Sequence, residues 1–221
     1  MSNKLLFALT AVLLAAVLVI AVLAERGGSA TADRPVASDR PVASAEPSRL
    51  VRPGSPTLGP ADAKVTIVEF LDPACETCAV FYPEVKRMLS ANPGRIRLVT
   101  RHVPFHPGSE AVVAMLGAAQ LQGKYWETLE ALLREQDRWV FNHRVQADAA
   151  MAIVAGVQGI DVARLKGDMG RPEVRELGAQ DLADAQALKV LKTPEYFVNG
   201  KPLPSFGLEQ LQALVADALR N

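Results

Sequence analysis

The chain contains a pair of cysteines, Cys75 and Cys78, just after a segment that strongly favours a β-strand, and this arrangement limits the folds that are possible. The segment Val65–Leu71 is mostly apolar and rich in β-branched residues, as a buried central strand would be. Residues 79–90 have a helical pattern, and residues 96–100 alternate like a second strand. This order predicts a βαβ unit with the cysteines where the helix begins.

The rest of the chain continues with helices and then a hairpin. Helices are predicted at 110–121, 125–134, 146–155, 162–166 and 173–188, short strands at 196–198 and 201–203, and a last helix at 208–219. The pair Asn199-Gly200 is typical of a two-residue hairpin turn. The predicted fold is therefore an α/β domain in which a helical insertion, at about residues 108–190, separates the βαβ unit from the hairpin.

The composition excludes several classes of protein and of site. Lys plus Arg equals Asp plus Glu at 24 residues each, so the basic surface of a nucleic-acid-binding protein is not expected. Two cysteines so close together cannot form a framework of several disulfides. His102, His106 and His143 do not join them at the spacing of a structural zinc site. We therefore expect no metal and no cofactor.

The amino-terminal part of the chain has the composition of a membrane segment followed by a linker. Residues 5–24 carry no charge over 20 residues and follow Lys4. A helix of that length spans about 30 Å and favours a membrane anchor, with a cleaved signal peptide as the alternative. Residues 25–56 are rich in Pro, Ala and Ser and repeat the sequence DRPVAS, as a linker would. Either interpretation puts the domain at residues 57–221 outside the cytoplasm.

The position of the cysteine pair indicates its chemistry. A thiolate is the nucleophile in disulfide exchange, and the amino-terminal end of a helix lowers the pKa of a thiol placed there. We therefore predict that Cys75 attacks and that Cys78, one turn later, resolves the mixed disulfide. Glu69, in the preceding strand, is predicted to accept the proton of Cys78; the alternative is an acid at a strand edge paired with a lysine. The bond between Thr193 and Pro194 can be cis and set a backbone edge against the cysteines.

Several of these residues stand where the thioredoxin superfamily has them, and the chain more closely resembles the DsbA-like thiol:disulfide interchange proteins. The residues that carry the resemblance are Glu69, Cys75, Cys78, Pro83 and Pro194, with residues 58–70, 101–107, 122–126 and 193–200 similar to segments of that family. The resemblance implies a thioredoxin-like fold and a cis peptide bond before Pro194. It also implies a substrate groove at Thr193 and Pro194, and electron exchange with exported proteins and a DsbB-like membrane partner.

Two departures from the family concern the direction of exchange. The residues between the cysteines are Glu76-Thr77, whereas strongly oxidising members commonly have Pro-His, and Lys192 replaces a small residue before the Thr-Pro pair. These positions tune the stability of the thiolate. We expect the protein to act as an oxidant, with reduction or isomerisation as the alternative. An alternative that is not an enzyme is a non-catalytic adaptor, or a protein that binds copper through Cys75 and Cys78.

Overall fold

A computed structural model describes residues 47–221 of the chain. The uncharged segment 5–24 and the duplicated sequence, which underlie the predictions of export and of a linker, lie outside the described residues. Between residues 47 and 221, no helix is both long enough and apolar enough to cross a membrane.

The described residues form eight α-helices and seven strands. The helices are α1 (Pro47–Leu50), α2 (Glu76–Ala91), α3 (Ser109–Gln120), α4 (Tyr125–Arg134), α5 (Ala147–Ala155), α6 (Val162–Asp168), α7 (Pro172–Ala187) and α8 (Leu208–Arg220), with a 3₁₀ helix at Gln136–Arg138. The strands are β1 (Thr57–Leu58), β2 (Val65–Leu71), β3 (Ile96–His102), β4 (Val140–Phe141), β5 (Arg144–Val145), β6 (Glu195–Val198) and β7 (Lys201–Pro202). Most predicted boundaries agree within one or two residues, but α2 begins at Glu76 and thus includes Cys78.

The strand β2 lies at the centre of a five-stranded sheet with the order β1-β3-β2-β6-β7. It pairs in parallel with β3, to which α2 connects it, and this confirms the predicted βαβ unit. On its other side β2 pairs antiparallel with β6, which turns back into β7. Glu69 of β2 therefore lies opposite Thr100 of β3 and Tyr196 of β6. The helices α3 to α7 are inserted between β3 and β6, so the predicted thioredoxin-like fold is confirmed.

The two faces of β2 pack against different helices. Ile67 and Leu71 belong to the larger core, together with buried residues of α2, α3, α4 and α8. Val68 and Phe70 belong to a smaller core that includes residues of α1 and α7. Because side chains alternate along a strand, Glu69 shares the face of Ile67 and Leu71. The sheet thus directs this carboxyl group toward the helix that follows Cys75.

The folded domain includes residues before position 57, where the sequence analysis placed the end of the linker and the start of the domain. Leu50 in α1 is buried in the smaller core. The guanidinium of Arg101, fully buried in β3, donates hydrogen bonds to the backbone carbonyls of Arg49 and Leu50 at 2.6 and 3.0 Å. Local composition gave no sign of this packing because its partner, Arg101, lies far along the chain.

The hairpin of β4 and β5 was not predicted from the sequence. Its turn residues, Asn142 and His143, have φ values of 50° and 57°. Positive φ at two central residues is the geometry of a tight hairpin turn, which glycine and asparagine usually provide. Histidine at the second position hides the turn from a sequence pattern. The consequence is that His143 stands at the tip of a hairpin inside the helical insertion.

Candidate functional site

The two cysteines lie at the amino-terminal end of α2. Cys75 is the residue just before the helix and has an extended backbone (φ −78°, ψ 118°), whereas Cys78 lies in the first turn. The backbone N–H of Cys75 donates to the carbonyl of Asp72 at 3.0 Å and closes the turn after β2. Both thiols are free; Cys75 is 6% exposed and Cys78 is 0% exposed. The more exposed of the two cysteines is thus the one predicted to attack.

The surroundings of Cys75 favour its thiolate. Its pKa is lowered to about 6, and the largest cause is the hydrogen bond from the Cys78 thiol. Burial opposes this shift, while hydrogen bonds from Thr193 and from the backbone N–H groups of Cys78 and Thr77 add to it. Because those amides belong to the first turn of α2, the end of the helix supplies donors to the sulfur. At neutral pH most Cys75 is therefore ionised.

Cys78 has the opposite electrostatic environment. Its pKa is raised well above that of a free cysteine, first by burial, then by its hydrogen bond to Cys75 and by the negative charges of Glu69 and Cys75. The pair therefore loses its first proton at Cys75 and keeps the second at Cys78. This asymmetry gives the two sulfurs different chemical properties.

Glu69 is fully buried on the face of the sheet that packs against α2. Its Oε1 accepts a hydrogen bond from the Tyr196 hydroxyl at 2.8 Å, and its Oε2 has no hydrogen-bond partner among residues 47–221. Burial raises the pKa of Glu69 to about 7, the Tyr196 hydrogen bond opposes this, and the charge of Cys75 adds to it. The carboxyl group is bonded to a tyrosine, not to the lysine that the alternative interpretation required. It can hold or release a proton near neutral pH.

The peptide bond between Thr193 and Pro194 is cis, as the resemblance implied. The sulfur of Cys75 lies 3.3 Å from the carbonyl oxygen of Thr193. The segment before β6 therefore contacts the attacking sulfur directly. A second chain that approaches Cys75 would meet the backbone of this segment.

Two further residues hold the cysteine turn in place, and sequence reasoning missed both. The buried carboxylate of Asp72 accepts hydrogen bonds from the backbone N–H groups of Ala74 (2.9 Å), Phe105 (2.7 Å) and His106 (2.8 Å) and from the side chains of Ser109 and His106. The buried amide of Gln136 donates to the carbonyls of Pro73 and Cys75 at 2.8 and 3.1 Å. For Asp72, the only indication in the sequence was an acidic residue directly after β2. For Gln136, the sequence gave no indication of its role.

The residues that were predicted to tune the thiolate occupy different positions. Thr77 contributes its backbone N–H to the Cys75 sulfur. Glu76, the first residue of α2, contacts the His143 imidazole, with 3.1 Å between Oε1 and Nδ1. Lys192 lies over the ring of Phe206, with 5.0 Å from Nζ to the centroid. The fold therefore pairs Glu76 with a histidine that the sequence gave no reason to single out.

Exposed apolar side chains extend from the segments that carry the site, and we call them the apolar rim: Val80, Leu191 and Phe206. Val80 follows Cys78 in α2, and Leu191 precedes the cis peptide bond; they are 69% and 83% exposed. Phe206 stacks on Phe81 of α2 with 5.1 Å between ring centroids. Large exposed apolar side chains on segments next to a reactive sulfur are candidates for contact with a binding partner.

Comparison with known proteins agrees with this fold. The family model for thioredoxin matches residues 52–217. A thioredoxin-like oxidoreductase from Silicibacter pomeroyi has a TM-score of 0.69 and 33% identity, over 80% of this chain and 99% of that chain. The α-DsbA1 structure from Wolbachia pipientis has a TM-score of 0.65 and 16% identity, over 77% of this chain and 94% of that chain. The predicted resemblance to DsbA-like proteins is thereby confirmed at the level of the fold.

A curated relative is much longer than this chain. The Na(+)/H(+) antiporter NhaA of Herminiimonas arsenicoxydans is 30% identical over 190 residues, which cover 84% of this chain and 28% of the antiporter. The chain thus spans little more than a quarter of that protein, and ion transport is not carried over to it. The family model, by contrast, covers most of the chain and includes both cysteines and the cis peptide. The chain belongs to the thioredoxin family.

Proposed function

We propose that the protein is a thiol–disulfide oxidoreductase that exchanges disulfides with other proteins through Cys75 and Cys78. The observation that carries the proposal is the asymmetry of the pair. Cys75 begins a helix, has a pKa of about 6 and contacts the Thr193 carbonyl, whereas Cys78 is buried and keeps its proton. A nucleophilic sulfur paired with a protected second sulfur is what disulfide exchange requires.

In the oxidising direction the Cys75–Cys78 disulfide accepts two electrons from a substrate dithiol. One substrate thiolate attacks the Cys75 sulfur, forms a mixed disulfide and displaces Cys78 as a thiolate, which takes up a proton. The second substrate thiolate then attacks the substrate sulfur of the mixed disulfide and releases Cys75 as a thiolate. The substrate leaves with a disulfide and the protein keeps the dithiol.

Glu69 is proposed to exchange the proton of Cys78 in this cycle. Its pKa of about 7 lies between those of the two cysteines, and within the described part of the chain its Oε2 has no competing hydrogen bond. When Cys78 leaves as a thiolate, a protonated Glu69 can supply the proton; in the reverse direction Glu69 accepts it. A buried acid with a pKa near the working pH suits both steps.

Substrate is proposed to bind as an extended segment beside Thr193 and Pro194, over the apolar rim. The Thr193 carbonyl lies against the Cys75 sulfur, so a chain that hydrogen-bonds to this edge would bring its cysteine within reach. Val80, Leu191 and Phe206 would contact apolar side chains that are exposed in unfolded proteins. Recently exported, cysteine-containing proteins have both features.

We favour the oxidising direction because the thiolate of Cys75 is stabilised in the reduced protein. A lower pKa of the attacking thiol stabilises the dithiol state and makes the disulfide a stronger oxidant. Reduction or isomerisation of disulfides is the second possibility, because the same chemistry runs in reverse when the partner is more reducing. Equilibration with glutathione measures the potential that decides between them.

The proposed location is outside the cytoplasm, where disulfides persist. The support is the uncharged segment 5–24, which would anchor the domain or direct its export, and the linker that follows it. A DsbB-like membrane protein would then be the partner that restores the disulfide. Fractionation of cells expressing the full chain tests the location: a membrane-bound form indicates an anchor, and a soluble form starting after residue 24 indicates cleavage.

Two assays test the activity. The oxidised protein is mixed with a peptide containing two cysteines, and the reduced protein with insulin. Either reaction should require both Cys75 and Cys78. The Cys78→Ser variant should accumulate mixed disulfides and the Cys75→Ser variant should accumulate few. Absence of turnover in both assays, together with tight copper binding by the dithiol, would favour the non-catalytic alternative.

A further inference from the structure

Three side chains that are distant in sequence meet beside the cysteine pair. Glu76 is the first residue of α2, His106 follows β3, and His143 is at the tip of the β4–β5 hairpin. A potential metal-binding atom of each lies within 4.8 Å of those of the other two. We call them the Glu-His-His cluster. Neither cysteine belongs to it.

His106 is already oriented as a metal ligand would be. Its Nδ1 lies 2.8 Å from Oδ2 of Asp72, a carboxylate that is fully buried and fixed by four other hydrogen bonds. Histidines that bind metals usually donate their second ring N–H to a carboxylate in this way, which fixes the tautomer and the ring orientation. The contact leaves Nε2 of His106 available to a ligand.

The hairpin brings His143 against the other two residues. Its backbone has a φ of 57°, uncommon for a residue other than glycine, and the neighbouring Asn142 shares this conformation. The imidazole of His143 stacks on that of His106 with 6.1 Å between ring centroids, and its Nδ1 lies 3.1 Å from Oε1 of Glu76. Two of the three histidines of the chain therefore converge on one carboxylate.

We propose that the Glu-His-His cluster is a binding site for a divalent transition-metal ion of the zinc type. Two imidazole nitrogens and one carboxylate oxygen form a donor set that suits Zn²⁺, with a fourth position open to water or another ligand. Mg²⁺ and Ca²⁺ prefer oxygen ligands and should bind much more weakly. The sequence alone gave no sign of the site, because only the fold brings His143 near His106.

The proposed ion would join the hairpin to Glu76, one of the two residues between the cysteines. Glu76 belongs to α2 and His143 to the helical insertion, so a bound ion adds a link across the mouth of the dithiol site. The site uses neither thiol. The inference is therefore independent of the proposed exchange activity and can fail or succeed without it.

The test is a calorimetric titration of the oxidised full chain with Zn²⁺ alone. Oxidation to the Cys75–Cys78 disulfide removes the thiols as competing ligands. One Zn²⁺ per chain is expected to bind, with a rise in the melting temperature as the folded state is stabilised. Mg²⁺ at the same concentration should produce neither effect.

Two variants remove ligands with little disturbance of the fold. His143→Asn retains a side chain that tolerates positive φ, and His106→Asn can still donate to Asp72. Loss of an outer-shell partner alone weakens metal binding by about 10–100-fold, so each ligand loss should cost at least about tenfold. Glu209→Gln, an exposed acid in α8, is the matched control and should bind like the parent.

Circular dichroism and melting without metal establish that each variant is folded before the titration is interpreted. Failure of the oxidised parent to bind Zn²⁺, or equal binding by the parent and both histidine variants, would overturn the proposal. Binding found only in the reduced protein and lost in Cys75→Ser would assign the ion to the dithiol and would also overturn it.

Discussion

Glu69 and Asp184 are both buried acids, yet the structure surrounds them in opposite ways. Within the part of the chain that the structure describes, Glu69 in β2 has one side-chain hydrogen bond, from Tyr196, and one oxygen without a partner. Asp184 in α7 accepts hydrogen bonds from Arg52 at 2.8 and 2.7 Å and from Arg101 at 2.7 Å. One lies on the face of the larger core, below the cysteines, and the other beside the smaller core.

The difference in partners reverses the effect of burial on the two pKa values. Burial acts to raise the pKa of both groups. For Glu69 it prevails and the pKa reaches about 7, whereas for Asp184 the hydrogen bonds from Arg52 and Arg101 outweigh it and the pKa is lowered. An acid left without a cation can exchange protons at neutral pH, while a fully paired acid stays charged and holds elements together.

Loss of the buried ion pairs around Asp184 should destabilise the protein more than any other change considered below. Arg101→Leu leaves Asp181 and Asp184 buried without their central cation, because Arg101 contacts them at 2.6 and 2.7 Å. Removing one member of a buried ion pair costs about 3–5 kcal/mol, and the free energy of unfolding should fall by that amount. Denaturant unfolding measures it.

Arg52→Leu is the matched control for that variant, because Arg52 is partly exposed and its loss leaves Asp184 paired with Arg101. A decrease of about 1 kcal/mol or less is expected. If Arg101→Leu were no more destabilising than Arg52→Leu, the buried network would not be what holds α1 and α7 to the sheet.

The raised pKa of Glu69 predicts that the free energy of unfolding falls as the pH rises. The pKa of Glu69 is about 7 in the folded chain and 4.5 as a reference for the unfolded chain. Between these values the folded chain holds a proton that the unfolded chain has lost, so raising the pH removes up to about 3 kcal/mol of stability. Unfolding of reduced parent and Glu69→Gln across this range should show a steeper decline for the parent. Parallel pH profiles would contradict the assignment.

The same substitution should slow the resolving step. Without Glu69, Cys78 loses its buried proton acceptor, and general acid–base contributions are typically 10²–10⁴-fold. In the reducing direction, where the Cys75 thiolate attacks a substrate disulfide and Cys78 then resolves the mixed disulfide, we expect Glu69→Gln to slow the decay of the mixed disulfide on the order of 10²-fold while its formation at Cys75 changes little. Acid quenching at timed intervals separates the two steps. Glu130→Gln, an acid bonded to Tyr82 and Lys86 beside α2, is the control and should resolve like the parent.

The smallest expected effect concerns Glu76. A surface carboxylate next to Cys75 opposes its thiolate by about 1 kcal/mol or less, so Glu76→Gln should lower the pKa of Cys75 by less than about one unit. Ultraviolet titration of the thiolate, with a chelator present to exclude metal ions, measures the shift. An unchanged or higher pKa would mean that the contact with His143 already offsets the carboxylate.

The local pattern of the sequence determined much of the fold. Val65–Leu71 was predicted as a central strand with its observed bounds, and the start of α2 was predicted to carry the cysteines. These features follow from residue preferences within one element, which a pattern can detect. The cis bond before Pro194 was implied by the family resemblance, and the structure contains it.

The pairings between residues distant in sequence could be found only from the packed fold. Arg101 joins α1 to α7, Asp72 binds the segment after β3, and His143 reaches Glu76 through a hairpin that no local pattern announced. Each depends on how elements pack across a sheet or an insertion, and sequence spacing carries no information about that contact. The partners of Glu69 belong to the same class, because whether a buried acid meets a lysine or a tyrosine is decided by the strand placed beside it.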